Sequence, residues 1–259
     1  MEDERGNRDV SEGKQNGAPP IYWVGGSKGG VGKSLVTMGV LDFLERVGGS
    51  KVHLVDCDTS NPDVWKTYRS KLDAELINLD EADGWIELVN TCDEHSESIM
   101  VINTAARNNG AVSEFGATLN GSLEELRRRL IALWVINRQR DALELLKDFM
   151  TTMPNALVHV VRNAHFGNEK KFELYNGSKV RETIEQRGGK SLTLPDLADR
   201  VADDLYIGRL AIADGRRACR LEIGRSSVGG GRRCRKYSRM RSDEYGGCIF
   251  GAPRPAGES

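Results

Sequence analysis

The sequence predicts an α/β fold, in which helices flank a mostly parallel, twisted sheet of about seven strands. Short apolar runs recur along the chain and alternate with segments of helical hydrophobic spacing, which is the pattern that βαβ units produce. A glycine-rich turn also joins the first apolar run to the first helix. With 259 residues, of which 39% are hydrophobic, the chain has enough apolar material for one large core.

Composition argues against membrane-spanning and exported proteins. No window approaches the roughly 18 consecutive apolar residues that a transmembrane helix needs, and the charged start of the chain lacks the apolar segment of a secretory signal. The five cysteines form no CxxC pair, which argues against a disulfide framework or a zinc site. We therefore expect a cytoplasmic protein that does not bind a membrane.

The first half of the chain contains three predicted strands and the helices between them. Residues 21–26 form a short apolar run that stops at glycines, as a buried parallel strand does. Leu35, Met38, Leu41 and Val47 then recur at helical spacing, and a glycine pair ends this helix. The other predicted elements of this half are a strand at 51–56, helices at 63–71 and 83–92, and a strand at 98–104.

The second half repeats the alternation of strand and helix. Alternation at this length implies βαβ units with right-handed crossovers. The predicted elements are a segment at 122–130 that leads into a strand at 131–137, a segment at 141–150 that leads into a strand at 156–163, a helix at 178–189, a strand at 191–195 and a helix at 198–206.

A phosphate-binding loop is predicted between the first strand and the first helix. Residues 26–34 read GSKGGVGKS, and glycines in such a turn allow backbone N–H groups to point inward around an anion. Lys33 would reach the β- and γ-phosphates, and the Ser34 hydroxyl would bind Mg²⁺. A glycine-rich turn without function is the alternative, but spacing, context and both side chains favour the phosphate site.

The loop departs from the plain GxxxxGK pattern, because Ser27 stands at its first glycine and a second lysine, Lys28, follows. The run KGGVGKS at residues 28–34 resembles the deviant Walker A signature of the ParA/MinD-like ATPases. The resemblance implies a P-loop NTPase fold, ATP and Mg²⁺ as ligands, and an ATP-dependent homodimer in which Lys28 acts on the partner's phosphates. The nucleotide-binding residues that it implies in this loop are Gly29, Gly30, Val31, Gly32, Lys33, Ser34 and Leu35.

Two acidic residues follow the second predicted strand. Asp56 and Asp58 match the family's DxD arrangement, and alternation along an extended chain points both side chains to the same side. We assign Asp58 to orienting the attacking water and Asp56 to the outer shell of Mg²⁺. The run Asn61-Pro62-Asp63 has an alternative role as an ordinary helix entry.

In this family, the strand that corresponds to residues 98–104 ends in an acidic residue, and this chain has an asparagine at that position. Asn103 stands at the Walker B position, where an amide can accept a hydrogen bond from Mg²⁺-bound water but carries no charge. We therefore expect weaker metal binding and slow hydrolysis, unless Asp56 compensates. Two further residues, Asn163 and Pro195, match approximately the positions that border the adenine in this family, and ordinary strand-to-loop roles remain open for both.

The chain divides into three predicted parts. Residues 1–19 are polar and are interpreted as a disordered leader, and residues 20–214 as one ATPase domain. From residue 215 to 259 there are 11 Lys and Arg against 4 Asp and Glu, with no hydrophobic period. This tail is interpreted either as a basic arm for nucleic acid or as a translated frameshift. We favour the frameshift, because a shifted reading of the permitted codons for residues 219–242 allows an amphipathic helix.

We expect a switch ATPase that positions or partitions DNA, or that assists plasmid transfer. Residues 165–189 look similar to a plasmid- and mobilisation-associated branch of the family. Expected partners are ATP, a second copy of the chain, non-specific DNA and a stimulating adaptor protein. Two alternatives remain: an ATP-gated scaffold with little hydrolysis because of Asn103, and a small-molecule kinase or amidoligase-type synthetase. Lys28 argues against the kinase, and the lack of an obvious substrate-pocket insertion argues against both.

Overall fold

The computed structural model describes residues 18–197 and 199–215 of the chain. The predicted leader, apart from its last two residues, and the predicted tail, apart from Gly215, lie outside this part. Pro19 and Pro20 lead directly into the first strand, and Arg128 donates a 2.8 Å hydrogen bond from Nε to the Pro19 carbonyl.

The fold is built on a seven-stranded sheet in the order β3-β2-β4-β1-β5-β6-β7, and every neighbouring pair of strands is parallel. The predicted fold class is therefore confirmed. The strand order reverses beside β1, and ligands of open parallel sheets bind at the carboxyl ends of strands at such a point. The strands are β1 (Ile21–Gly26), β2 (Lys51–Asp56), β3 (Asp73–Leu76), β4 (Ser98–Asn103), β5 (Leu130–Ile136), β6 (Leu157–Asn163) and β7 (Ser191–Leu194).

Helices cover both faces of the sheet. The first, second and eighth helices pack on one face, and the third, fourth, fifth and seventh pack on the other. The helices are α1 (Lys33–Val47), α2 (Asp63–Tyr68), α3 (Ala82–Glu94), α4 (Asn108–Ser122), α5 (Arg140–Thr152), α6 (Glu173–Asn176), α7 (Lys179–Gln186) and α8 (Asp199–Ile207).

Two apolar clusters form the core, one on each face, because successive side chains of a strand point to opposite faces. Aromatic rings dominate the face under α3 to α5. The rings of Trp23 and Trp85 stack at 5.7 Å between centroids, and those of Trp134 and Phe149 lie 4.9 Å apart. These large rings hold β1 and β5 against the helices, and so fix the central strands whose carboxyl ends form the site.

Three elements differ from the sequence prediction, namely the strand β3, the helix before β5 and the four-residue helix α6, which was not predicted. The edge strand β3 was not predicted, because it has only four residues, two of them acidic, and no apolar run. The helix before β5 is α4, whereas the predicted segment at 122–130 forms turns beyond the last residue of α4. Helix α4 contains several asparagine and glycine residues of low helix propensity, and it is stabilised by burying Val112 and Leu119.

Within the described residues, no helix is long and apolar enough to cross a lipid bilayer.

Gly84 tests the packing of α3 on the preceding loop. A Cβ at Gly84 would collide with the backbone carbonyl of Asn78, whereas a Cβ at Gly39, inside α1, would meet nothing within 4 Å. We expect Gly84→Ala to lower the free energy of unfolding by about 1–3 kcal/mol. The control Gly39→Ala should raise it by about 0.5–1 kcal/mol through helix propensity. Urea unfolding midpoints measure both, and equal midpoints for the two variants would contradict this packing.

Candidate functional site

The loop between β1 and α1 is shaped by glycines. Gly30 and Gly32 have positive φ angles of 74° and 105°, a backbone region that side chains disfavour. At Gly26 a Cβ would lie 2.7 Å from the Val135 carbonyl, so the loop begins in close contact with β5. The turn that the sequence predicts is therefore present, and α1 begins at its end with Lys33.

Lys33 is the buried cation of this loop. Its residue is only 8% exposed, and its Nζ donates a 2.9 Å hydrogen bond to the Lys28 carbonyl. Burial lowers the pKa of Lys33 to about 8, an effect that the negative charge of Asp58 partly opposes. The Ser27 hydroxyl is buried and has no hydrogen-bond partner among the described residues. A desolvated ammonium beside a glycine turn suits a phosphate group, which would supply the missing negative charge.

Asp56 and Asn103 form a buried polar network at the carboxyl ends of β2 and β4. Asp56 is fully buried and accepts three hydrogen bonds, from the Asn103 side chain at 2.9 Å and from the backbone N–H groups of Asp58 and Trp65. The Asn103 Oδ1 atom lies 2.9 Å from the Thr37 hydroxyl of α1. Burial raises the pKa of Asp56, and the three hydrogen bonds oppose this rise. The network therefore ties α1 to two central strands.

Asp58 lies in the segment after β2 and is held by an arginine. Arg107 donates from Nη1 to Asp58 Oδ1 at 3.2 Å, from Nη2 to the Thr59 hydroxyl at 2.8 Å and from Nε to Asp80 Oδ2 at 2.7 Å. These contacts raise the pKa of Arg107, and the hydrogen bond that it donates to Asp80 is the largest cause. The segments after β2, β3 and β4 thus meet at one guanidinium group.

Two asparagines support the loop from either side. Asn163, at the end of β6, donates a 2.9 Å hydrogen bond from Nδ2 to the Val31 carbonyl, and the same atom lies 2.7 Å from where a Cβ of Gly32 would be. Asn109, in the first turn of α4, donates from Nδ2 to the carbonyls of Gly26 and Ser27 at 3.2 and 3.1 Å. Asn163 therefore contacts the phosphate-binding loop directly.

Pro195 directly follows β7 and is half-buried. The side chain of Leu194, the last residue of that strand, lies 3.5 Å from where a Cβ of Gly32 would be. The structure therefore places the end of β7 beside the loop, and Pro195 begins the segment that leaves it.

Lys28 is half-exposed and pairs with residues of its own chain. Its side chain is 53% exposed and forms an ion pair with Asp141, in the first turn of α5, and a 3.3 Å hydrogen bond with Gln139. The Asp141 Oδ1 atom is buried and has no hydrogen-bond partner within the part of the chain that the structure describes. The two lysines of the loop therefore occupy different environments, one buried beneath the turn and one on its surface.

The donors of this site fit a nucleotide phosphate with Mg²⁺ better than a metal ion alone. Among the described residues, no group of three or more His, Cys, Asp or Glu side chains is placed to hold a metal. The half-buried Ser34, one residue into α1, is the hydroxyl that would share a Mg²⁺ with phosphate oxygens. Asp56 lies deeper, with its carboxylate already bound to three N–H groups.

A known protein family matches this architecture. The family described as the CobQ/CobB/MinD/ParA nucleotide binding domain matches residues 22–168, more than half of the chain. This chain belongs to that family. The resemblance that the KGGVGKS motif indicates is thereby confirmed, and the loop at residues 26–34 lies within the matched region.

Individual proteins also resemble this chain. The chain is 64% identical to Protein MobD of Acidithiobacillus ferrooxidans over 196 residues, which cover 76% of this chain and 86% of that protein. The solved structure of the MinD cell division protein of Aquifex aeolicus covers 93% of this chain and all of its own, with a TM-score of 0.53 and 15% identity. A nucleotide-binding protein of Archaeoglobus fulgidus in complex with ADP matches with a TM-score of 0.47 and 16% identity, and covers 74% of this chain and 87% of its own.

Several residues of the site were not predicted from the sequence. Arg107, Asn109 and Asp80 follow strands β4 and β3, and Asp141 follows β5. The signal available for Arg107 and Asn109 was the polar run at residues 103–109, directly after a buried strand at the ligand-binding edge of the sheet. The pairing of Lys28 with Asp141 joins residues 113 positions apart, and no local pattern reveals it.

Asn103→Asp tests the network around Asp56. The new carboxylate would face Asp56 where an amide now donates, so we expect the free energy of unfolding to fall by about 2–4 kcal/mol at pH 7. The loss should be smaller at pH 5, because the repulsion raises a carboxyl pKa in the folded protein and protonation relieves it. Urea unfolding at both pH values measures this effect. The exposed Asn155→Asp is the control, and an equally small effect of both substitutions would contradict the network.

The lowered pKa of Lys33 leads us to predict that the protein takes up a proton when a nucleoside triphosphate binds. With a pKa of about 8, part of the free protein holds Lys33 neutral at pH 9, and phosphate binding favours the charged form. Affinity should therefore fall as pH rises above 8, by at most about tenfold per pH unit. Calorimetry in two buffers of different ionisation enthalpy should show more proton uptake at pH 9 than at pH 7.5. Lys51→Met, at an exposed lysine, should keep the uptake, whereas uptake that is absent at pH 9 contradicts the buried Lys33.

Proposed function

We propose that this protein is a Mg²⁺-dependent ATPase of the ParA/MinD type that dimerises on ATP and acts in DNA partitioning or plasmid mobilisation. The observation that carries the proposal is the buried Lys33 beneath a glycine turn at the carboxyl end of β1. The loop amides and Lys33 would bind the β- and γ-phosphates, and Ser34 would hold Mg²⁺ together with phosphate oxygens. When bound, Mg²⁺ neutralises phosphate charge that develops during transfer.

Asp58 is the residue we assign to the attacking water. It is the acidic group whose charge acts on Lys33, and its carboxylate is about one third exposed, whereas that of Asp56 is fully buried. A water molecule can therefore reach Asp58 from the side of the phosphate loop. Orientation of a water by a fixed carboxylate is a common means of catalysing phosphoryl transfer to water.

Slow turnover follows from the end of β4. Asn103 brings no negative charge to the metal, and both of its polar side-chain atoms already have partners, in Thr37 and Asp56. Asp56 remains the only acidic group of this network, and it would reach Mg²⁺ only through bound water. The alternative function, an ATP-gated scaffold with little hydrolysis, is favoured by the same observation.

Dimerisation gives Lys28 its role. A half-exposed lysine beside the phosphate loop is accessible to a second copy of the chain, and its pairing with the partly exposed Asp141 can be exchanged at small cost. Acting on the partner's phosphates, its ammonium group would stabilise transition-state charge as an arginine finger does. Non-specific DNA and a stimulating adaptor protein are the further partners that we propose, in a cytoplasmic setting.

Lys28→Ala tests the dimer mechanism. We expect ATP hydrolysis per chain to rise with protein concentration in the parent protein and to fall by about tenfold or more in the variant, since an activating cation is lost. ATP binding to the monomer, measured by calorimetry, should change little. Lys51→Ala, an exposed lysine at the start of β2, is the matched control.

The outcomes separate the two candidate functions. ATP-dependent dimers in light scattering, together with hydrolysis that Lys28→Ala abolishes, support the ATPase. ATP-dependent dimers whose hydrolysis is no faster than that of Lys33→Ala support the scaffold. A parent chain that binds no ATP even with excess Mg²⁺ contradicts both.

A further inference from the structure

Arg107 occupies an unusual position for a surface arginine. Its side chain is 35% exposed, yet its guanidinium group contacts three side chains from two other segments, those of Asp58, Thr59 and Asp80. An exposed ion pair contributes little to stability by itself. A planar guanidinium group that donates to several acceptors also restricts the orientation of each acceptor, which is an effect separate from stability.

The guanidinium group of Arg107 is itself held in place by Asp80 and Asn108. Asp80 accepts from Arg107 through Oδ2 and from the Asn108 side chain through Oδ1 at 2.8 Å, and Asn108 Oδ1 accepts from the backbone N–H of Ala105 at 2.8 Å. Asn108 is 1% exposed, so this end of the arrangement is anchored in the core. Arg107 therefore projects from a rigid support toward the segment after β2.

The group that Arg107 restricts is also the carboxylate whose negative charge acts on the buried Lys33 of the phosphate loop. Asp58 accepts through Oδ1 from Arg107 and from the backbone N–H of Asn61 at 3.3 Å, and its charge acts on the buried Lys33. The Oδ1 atom thus accepts both hydrogen bonds, and neither of these two contacts uses Oδ2. A carboxylate fixed through one oxygen is suited to accept a hydrogen bond from water through the other.

We propose that Arg107 is a positioning residue for ATP hydrolysis, which orients Asp58 toward the attacking water and couples the segments after β2, β3 and β4. This inference rests on the proposed function, since it assumes that Asp58 acts on water. Arg107 itself contacts neither nucleotide nor water in this role. Its loss leaves phosphate binding to Lys33 and the loop amides, and removes the orientation on which the chemical step depends.

We therefore expect substitution of Arg107 to lower kcat and to leave the KM for ATP nearly unchanged. Arg107→Gln should lower kcat by about tenfold or more while KM for ATP changes by less than about twofold, because a misdirected carboxylate costs transition-state stabilisation without weakening ground-state binding. Arg107→Lys should retain part of kcat, since an ammonium group can keep one of the contacts but cannot donate as a fork.

Two more variants separate positioning from general damage. Arg181→Gln is the matched control, because Arg181 is 37% exposed and pairs with Glu185 on α7, away from the phosphate loop; it should leave kcat unchanged. Asp80→Asn removes the support behind the fork and should lower kcat in the same direction as Arg107→Gln. In the double variant the two losses should be less than multiplicative, because both act through Asp58. Circular dichroism and thermal unfolding establish that each variant is folded.

The experiment measures steady-state hydrolysis and, separately, binding of a fluorescent ATP analogue. A kcat that Arg107→Gln leaves unchanged, or a KM that rises while kcat stays constant, overturns the positioning role and leaves the proposed ATPase intact. Fully multiplicative losses in the double variant also overturn it. A parent chain that binds the analogue but hydrolyses no ATP overturns both the ATPase and the role of Arg107, and leaves the scaffold.

Discussion

The fully buried carboxylate of Asp56 is the constraint around which the site is organised. A charge without water must be satisfied by hydrogen bonds, and Asp56 obtains them from the Asn103 amide and from two backbone N–H groups of the segment that follows β2. Asn103 can serve in this way because its other atom accepts from Thr37, one turn after Lys33 in α1. The position of the helix that carries the phosphate-binding lysine is thus tied to the satisfaction of one buried charge. An amide at residue 103 is what makes this possible, since a second carboxylate at 2.9 Å would repel the first.

This arrangement changes how the asparagine is understood. From the sequence, Asn103 looks like the loss of a metal-binding charge, whereas in the structure it is the donor that allows Asp56 to be buried beside it. The two views are compatible, because the same substitution lowers negative charge near the phosphates and stabilises the remaining carboxylate. Under the proposed function, the role of orienting the attacking water falls to Asp58, which is nearer to solvent and is restrained by Arg107.

Local patterns were sufficient for most of the fold and for the phosphate loop. The apolar strands and the helix after the loop follow from hydrophobic period and glycine stops, and the motif at residues 28–34 identifies the family. The edge strand β3 and the position of α4 were missed, because a short acidic strand and a glycine-rich helix owe their structure to neighbours rather than to their own propensity. The same limit applies to the site: Arg107 reaches Asp58 over 49 positions and Lys28 reaches Asp141 over 113, and such pairs are set by the order of strands in the sheet.

The three cations of the site differ in whether an acidic side chain of the protein neutralises them. This difference bears on how nucleotide binding could be coupled to a change of conformation. Lys33 is buried and has no acidic partner within hydrogen-bond reach among its described contacts, so a phosphate group gives it what the protein does not. Lys28 and Arg107 are partly exposed and already neutralised by carboxylates on other segments. Partly exposed ion pairs are worth only about 0–1 kcal/mol each, so a polyanion can compete for Lys28 at little cost to folding. Under the proposed function, phosphate binding to Lys33 would set the nucleotide affinity, whereas release of Lys28 from Asp141 would free the surface of the loop and the segment after β5 for a second copy of the chain.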